Sequence, residues 1–63
     1  VSSLWRMVMR VHIEWCDQFG FYHHYQTMNH LQSARRIAES RASSTGKKHR
    51  IMSDDGTLLD IIF

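Results

Sequence analysis

Histidine, carboxylate and cysteine side chains are the groups of this sequence that could do chemistry. The chain has five histidines and one cysteine. If the segments on either side of residues 17–20 pair as strands, His12, Glu14 and His24 fall on one face, where three such groups could hold zinc with an open position. A surface charge pair between Glu14 and His24 explains the same residues without a metal, and the sequence lacks the ligand spacings typical of zinc sites. We therefore expect no metal centre and no cofactor.

Cys16 is the one candidate nucleophile, and a nucleophilic thiol needs an adjacent base. His24 would lie only diagonally across the hairpin from it, and a cysteine at a strand end is more often a small apolar filler. The glycines Gly20, Gly46 and Gly56 are isolated turn or cap residues and form no phosphate-binding loop. The sequence therefore predicts no catalytic residue, and we expect a protein that is not an enzyme.

A predicted hairpin positions the groups around His12. Apolar and polar residues alternate from Met7 to Trp15, as in a strand with one buried face. Residues 17–20, with the sequence DQFG, fit a type I turn followed by a left-handed glycine, which gives a hairpin with a bulge at the glycine. The resulting register pairs Cys16 with Tyr22, Trp15 with His23, Glu14 with His24, Ile13 with Tyr25, His12 with Gln26 and Val11 with Thr27.

The segment from Asn29 to Gly46 is the only one with the pattern of a helix, predicted over about residues 29–45. Asn29 can cap the first free amides, Gln32 follows as in a capping box, and Gly46 suits the left-handed residue after the last turn. The stripe expected to cover the sheet is mostly small: Leu31, Ala34, Ile37, Ala38 and Ala42. The face expected to meet water carries Arg35, Arg36, Glu39, Ser40 and Ser43.

A second hairpin follows the helix. Residues 53–56, with the sequence SDDG, repeat the turn spacing of the first hairpin, with strands over about 49–52 and 57–63. The bulged register pairs Ile51 with Leu59, His49 with Ile61, Met52 with Leu58 and Arg50 with Asp60. A two-residue turn at positions 55 and 56 would instead set Ile51 against Asp60, and we therefore reject it.

These elements predict an α+β fold of the ββαββ type, a four-stranded antiparallel sheet with one helix packed on one face. We expect a single small domain over residues 1–63, with residues 1–6 as a disordered start. An antiparallel sheet crossed by one helix allows the strand orders 2-1-3-4 and 1-2-4-3, and we favour the first. A chain of this size buries only about 60% of its unfolded surface, so its stability is marginal. Since one cysteine supports neither a disulfide nor a cysteine-based zinc site, association with a second copy is the remaining aid.

Cysteine content and hydropathy bear on the compartment. No apolar run approaches the ~20 residues that span a bilayer, and the first residues lack the apolar segment of a signal peptide. A single cysteine gives no support for an oxidising environment. We therefore expect a soluble cytoplasmic protein that does not associate with membranes.

The sheet face that the helix does not cover is the candidate for function. The predicted registers place an apolar group on this face, which we expect to bind a protein partner or a second copy of the chain: Tyr22, Met52, Leu58 and Ile62. The expected function is therefore a non-catalytic binding or assembly module, most simply a homodimer.

A basic segment supports an alternative function. The formal charge of the chain is +2, but residues 35–50 hold six of its eight lysines and arginines against one glutamate. A weak, salt-sensitive nucleic-acid interface would use the residues Arg35, Arg36, Arg41, Lys47 and Lys48. The bland explanation is that these charges solvate the outer face of the helix and complement its C-terminus.

Overall fold

Four strands and one helix follow one another along residues 10–63, the part of the chain that this computed structural model describes. Their bounds are β1 Val11–Cys16, β2 Tyr22–Met28, α1 Leu31–Thr45, β3 His49–Ser53 and β4 Leu58–Ile62. The predicted α+β fold of the ββαββ type is confirmed. The N-terminal part of the first predicted strand, residues 7–9, lies outside the described residues.

The strands form one antiparallel sheet in the order β2-β1-β3-β4, which is the order that we favoured from the sequence. The two hairpins supply the outer pairs, and β1 joins them by pairing with β3. Because α1 connects β2 to β3 across β1, the helix lies over one face of the sheet and leaves the other uncovered. No helix in residues 10–63 is long and apolar enough to cross a membrane.

Both hairpin turns have the predicted form. The Gly20 amide donates to the Asp17 carbonyl (3.1 Å), and the Gly56 amide donates to the Ser53 carbonyl in the same way (3.1 Å). The two glycines have φ of 90° and 89°, in the left-handed region that side chains disfavour. The predicted register therefore holds next to each turn. Cys16 pairs with Tyr22 beside the first turn, and Met52 pairs with Leu58 beside the second.

Further along β2, the predicted register is wrong by one residue. Trp15 pairs with His23 and Glu14 with His24 as expected, but the pairing then shifts and sets Ile13 opposite Gln26. Tyr25 is the extra residue of this bulge. The shift turns Met28 toward the core and Thr27 toward the uncovered face. In the predicted register Thr27 would have faced the core instead. Burial of the larger apolar side chain is the physical reason for the shift.

A second bulge changes the register of β4. Met52 pairs with Leu58 as predicted, but Leu59 is then the extra residue, so Ile51 faces Asp60 and Arg50 faces Ile61. The predicted pair of Arg50 with Asp60 is therefore wrong. Two other ion pairs form instead, from Arg50 to Glu14 (2.6 Å) and from Arg35 to Asp60 (2.8 Å).

The predicted start of the helix is also wrong, whereas its end is confirmed. The backbone of His30, not of Asn29, is the extended residue before the first turn, and no side chain bonds the free amides there. At the other end Gly46 has φ of 72°, and its amide donates to the Ala42 carbonyl (2.9 Å). A left-handed glycine ends the last turn as predicted.

The core lies between the helix and the two central strands. The fully buried residues of the helix are alanines, Ala34 and Ala38, which meet Val11, Ile13 and Ile51 of β1 and β3. Five larger apolar side chains pack around this centre and are partly buried: Met28, Leu31, Ile37, Leu59 and Ile62. The predicted inward stripe of the helix is confirmed. Its small side chains let the helix backbone lie close to the sheet.

Candidate functional site

The open sheet face is the side of the sheet that α1 does not cover. Side chains of neighbouring strands that pair with each other point to the same face, and successive residues alternate except at the bulges. From the observed registers this face carries His12, Glu14, Cys16, Tyr22, His24, Thr27, Arg50, Met52, Leu58 and Ile61. Its β1–β2 side is polar and its β3–β4 side is largely apolar.

A chain of hydrogen bonds crosses the polar side of the open face. His12 lies at its centre, with Nε2 2.7 Å from Asp54 Oδ1 and Nδ1 3.0 Å from Thr27 Oγ1. His24 Nε2 reaches the same threonine oxygen at 2.9 Å. The Asp54 carboxylate accepts from His12 Nε2, which leaves Nδ1 as the acceptor for the hydroxyl proton of Thr27 when His12 is neutral. These hydrogen bonds therefore link β1 through side chains to β2 and to the turn of the second hairpin.

Asp54 also receives a charged donor. The Arg10 guanidinium donates to Asp54 Oδ2 through Nη2 (2.9 Å) and Nε (3.1 Å). The hydrogen bond from His12, followed by those from Arg10, lowers the pKa of Asp54. The carboxylate thus stays charged and holds the second hairpin turn against β1.

A second ion pair lies beside this chain. Arg50 Nε donates to Glu14 Oε1 at 2.6 Å across the β1–β3 pair. The same guanidinium lies 3.8 Å from the centre of the Tyr22 ring, on the far side of β1. A cation over a ring at this distance is attracted to it. One arginine of β3 therefore bonds side chains of both β1 and β2.

This geometry bears on the metal and nucleophile hypotheses. Glu14 bonds Arg50 and not His24, so the charge pair expected between Glu14 and His24 is wrong. Within residues 10–63 no group of three or more His, Cys, Asp or Glu side chains is arranged to hold a metal ion. Cys16 is half-buried, and its Sγ contacts the Asp17 carbonyl (3.5 Å). His24, the base considered for it from the sequence, is bonded to Thr27.

The apolar side of the open face lies on β3 and β4. Met52 and Leu58 pair across the two strands, and Ile61 follows on β4 opposite Arg50. Leu58 is 47% exposed and Ile61 is 40% exposed, which is high for such side chains within a strand. We call Met52, Leu58 and Ile61 the β4 patch. It lies next to the outer edge of β4.

Three of the four residues predicted to bind a partner lie on the open face, spread over three strands, and the fourth does not. Met52 and Leu58 belong to the β4 patch. Tyr22 lies on β2, two strand spacings or about 10 Å from the strand of Met52 and three spacings or about 14 Å from that of Leu58, since neighbouring strands are about 4.8 Å apart. Ile62 pairs with His49 and packs against the core, so its expected place on the open face is wrong.

The bulge at Leu59 explains why the predicted position of Ile62 is wrong. It also explains why the sequence analysis did not place Ile61 on the open face. It rotates the rest of β4 by one position, so that Ile61 instead of Ile62 reaches the open face. The segment from Leu58 to Phe63 is apolar on both faces apart from Asp60, and a pattern of this kind does not indicate where a bulge lies. Thr27 was missed for the same reason on β2.

The basic residues of the alternative function are distributed over different sides of the molecule. Arg35 bonds Asp60 of β4, whereas the Arg41 guanidinium lies 4.3 Å from the centre of the Tyr25 ring on β2, the opposite edge of the sheet. Arg36 is exposed on the outer helix face. Arg35 and Arg36 line one surface depression on the helix, whereas Arg41 lies apart from them beside Tyr25.

Lys47 and Lys48 form a separate group after the helix. Lys47 Nζ lies 4.7 Å from the centre of the Trp15 ring, and Lys48 Nζ lies 5.3 Å from the centre of the Phe63 ring. Both lysines line a surface groove of about 600 Å³, together with Trp15 and the turn residues around Phe19. Cations and aromatic rings thus alternate at this end of the sheet, where the sequence indicated no such arrangement.

Comparisons with protein-family models, with curated proteins and with solved structures found no match to this chain. The function is therefore inferred from the geometry of its own residues.

Proposed function

We propose that this protein is a non-catalytic assembly module that associates with a second copy of itself through β4. The observation that supports the proposal is the character of β4, an apolar strand at an edge of the sheet. Its inner edge is bonded to β3, and its outer edge pairs with no other strand of residues 10–63. On this strand the Ile61 amide donates to the Asp60 side chain (2.9 Å) and to no other strand of the described chain. An edge whose amides and carbonyls pair with no strand, beside exposed apolar side chains, is a template for another strand.

The composition of β4 favours a second copy over a different partner. Its only charge, Asp60, is neutralised by Arg35 of the same molecule. An antiparallel pair of β4 strands centred on Ile61 would set Ile61 against its own copy and Asp60 against Ile62. No like charges would face each other, and the β4 patches of the two molecules would become continuous.

The other edge strand is less suited to pairing. Five of the seven residues of β2 are exposed, and most are polar or histidine side chains. The Tyr25 bulge interrupts its hydrogen-bonding edge in the middle of the strand. Polar edges with bulges are how native sheets avoid pairing with other chains. The contrast between the two edges directs association to β4.

Sedimentation velocity over a range of protein concentrations tests the proposal. We expect a dimer mass for the wild type, and a monomer mass for Ile61→Asp, whose carboxylate would face Arg50 and keep a partner in the monomer. Phe21→Asp is the matched control, since Phe21 is exposed directly after the first turn, and β2 and β4 are opposite edges of the sheet. Leu58→Lys repeats the test should Ile61→Asp fail to fold, as judged by circular dichroism. A wild-type mass that stays monomeric at high micromolar concentration would refute self-association.

Nucleic-acid binding is the second candidate function. The observation that favours it is confined to Lys47 and Lys48, whose side chains are exposed beside aromatic rings. Phosphate attracts such a pair, and the binding would weaken as salt is added. Release of a labelled oligonucleotide by salt tests this candidate, and an absence of binding at low salt would remove it.

A further inference from the structure

The groove beside Lys47 and Lys48 has features that go beyond a basic surface. It lies where the β1–β2 turn meets the connection from α1 to β3, and its volume of about 600 Å³ is in the range of small-molecule sites, about 300 to 1,000 Å³. Its lining combines Lys47 and Lys48 with the indole of Trp15 and the ring of Phe19. Phe19 is 76% exposed although it is one of the largest apolar side chains of the protein.

The backbone around the groove is held in place. The Cys16 amide donates to the Lys48 carbonyl (2.8 Å), which ties the end of β1 to the segment after the helix. The Lys47 amide contacts Thr45 Oγ1 (3.2 Å). The lysine backbones are therefore fixed while their side chains remain in solvent. A site of this kind needs little ordering of the backbone when a ligand binds.

The one carboxylate in the groove is already bonded. Asp17 Oδ1 accepts the amides of Phe19 (2.8 Å) and Phe21 (2.9 Å), and Oδ2 is 2.6 Å from His23 Nε2. The hydrogen bond from His23, followed by the amide of Phe21, lowers the pKa of Asp17. Its charge is thus directed into the turn, and the two ammonium groups give the groove its net positive charge.

The helix end next to the groove is also partly neutralised. Free carbonyls at a helix C-terminus would repel a phosphate. Here the Gly46 amide bonds the Ala42 carbonyl, and the Thr45 hydroxyl donates to the Arg41 carbonyl (2.7 Å). The Ala42 carbonyl, one of the last four of the helix, is therefore occupied, which weakens this repulsion.

We propose that this groove binds a nucleotide unit of single-stranded nucleic acid, with Lys47 and Lys48 on phosphate and a base stacked on Phe19. The inference rests on the second candidate function and gives it a site. Phosphate needs the cations, and a base needs an exposed flat ring, and single-strand sites combine the two. An acidic peptide would use the lysines but would leave the aromatic ring without a partner.

The test measures binding of a labelled single strand of about 10 nucleotides by fluorescence anisotropy at several salt concentrations. Lys48→Ala should weaken binding and lower the salt slope by about 1. Phe19→Ala should weaken binding by about 5- to 150-fold, the range for one stacked base. The matched controls are Arg36→Ala, which removes an exposed charge from the helix, and Phe21→Ala, which removes an exposed ring from the residue after the turn. Both controls should bind as the wild type does.

A second measurement locates the ligand directly. Trp5 and Trp15 are the only tryptophans, so Trp5→Phe leaves Trp15 as the single reporter beside Lys47. Addition of the oligonucleotide should change Trp15 emission, and a free mononucleotide should do the same at higher concentration if one unit fills the groove. A response to the oligonucleotide alone shows that the strand, and not a free nucleotide, is the ligand.

Three results would overturn the proposal in distinguishable ways. If Arg36→Ala weakens binding while Lys48→Ala and Phe19→Ala do not, nucleic-acid binding survives but the groove is not its site. If polyglutamate competes as well as the oligonucleotide, the groove recognises charge alone and the stacked base is wrong. If neither an oligonucleotide nor a mononucleotide binds at low salt, both the groove and the second candidate function are refuted.

Discussion

Replacement of Ala38 by leucine tests the close contact between helix and sheet. Ala38 is fully buried, with 0% of its surface exposed, against a layer that contains Ile13 and Ile51. Leucine forms helices nearly as well as alanine, so Ala38→Leu changes packing and leaves helix propensity almost unchanged. The larger side chain has no space unless the helix moves outward.

The expected cost follows from the size of the domain. Forcing extra methylene groups into a packed core costs about 1 to 3 kcal/mol. A chain of this length has a free energy of unfolding of about 3 to 9 kcal/mol, at 0.05 to 0.15 kcal/mol per residue. With a urea dependence of about 1 kcal/mol per molar, the unfolding midpoint should fall by about 1 to 3 M.

Urea unfolding followed by circular dichroism, at one low protein concentration, measures this change. Ser40→Leu is the matched control, because it places the same side chain on the exposed face of the helix and should move the midpoint by less than about 0.5 M. An Ala38→Leu midpoint equal to that of the wild type would refute the close approach of helix and sheet.

Two further predictions concern pH and the helix end. Hydrogen bonds from the Ser53 hydroxyl and then from Thr57 lower the pKa of Asp55 to about 2. The pKa of Asp55 in the folded protein is below its unfolded value, so its contribution to stability is present above about pH 4 and is lost as pH falls toward about 2. Urea unfolding at each pH measures this decline in stability, which Asp55→Asn should make shallower. An unchanged decline would contradict the role of Asp55. Gly46 has φ of 72° and open space where a Cβ would lie. Gly46→Ala should therefore lower the free energy of unfolding only by the backbone strain, about 1 to 2 kcal/mol. Ser44→Ala is the control and should unfold as the wild type does.

The local parts of the fold could be predicted because their causes are local in the sequence. The turns at residues 17–20 and 53–56 each need a left-handed glycine at one position, and the sequence has one there. The alanine stripe of α1 follows from helical spacing. The strand order then follows from an antiparallel sheet and a helix that lies along it, with one further choice between two orders.

The bulges could not be predicted, because they depend on competition between side chains for the core. The bulge at Tyr25 turns Met28 toward the interior, where Thr27 was expected, and the bulge at Leu59 turns Ile62 toward it, where Ile61 was expected. Neither strand contains a glycine or proline that would mark the position. The candidate site changed with them, since Ile61 entered the open face.

The partners of the ion pairs could not be predicted from the sequence either. Asp60 bonds Arg35 and Arg50 bonds Glu14, at sequence separations of 25 and 36 residues. Partner choice over such distances depends on the final register, and each one-residue error in the register changes the partner. The cation–aromatic contacts of Lys47 and Lys48 depend in the same way on where Trp15 of β1 and Phe63 after β4 lie in the final fold.

Amide hydrogen exchange of the two edge strands, measured at several protein concentrations, tests self-association through β4 most directly. The proposal predicts that the amides on the outer edge of β4, that of Ile61 among them, exchange more slowly as concentration rises, while those of β2 keep their rate. The polar edge is thus an internal control in the same molecule. Exchange from β4 that is independent of concentration, up to high micromolar protein, would contradict the proposal.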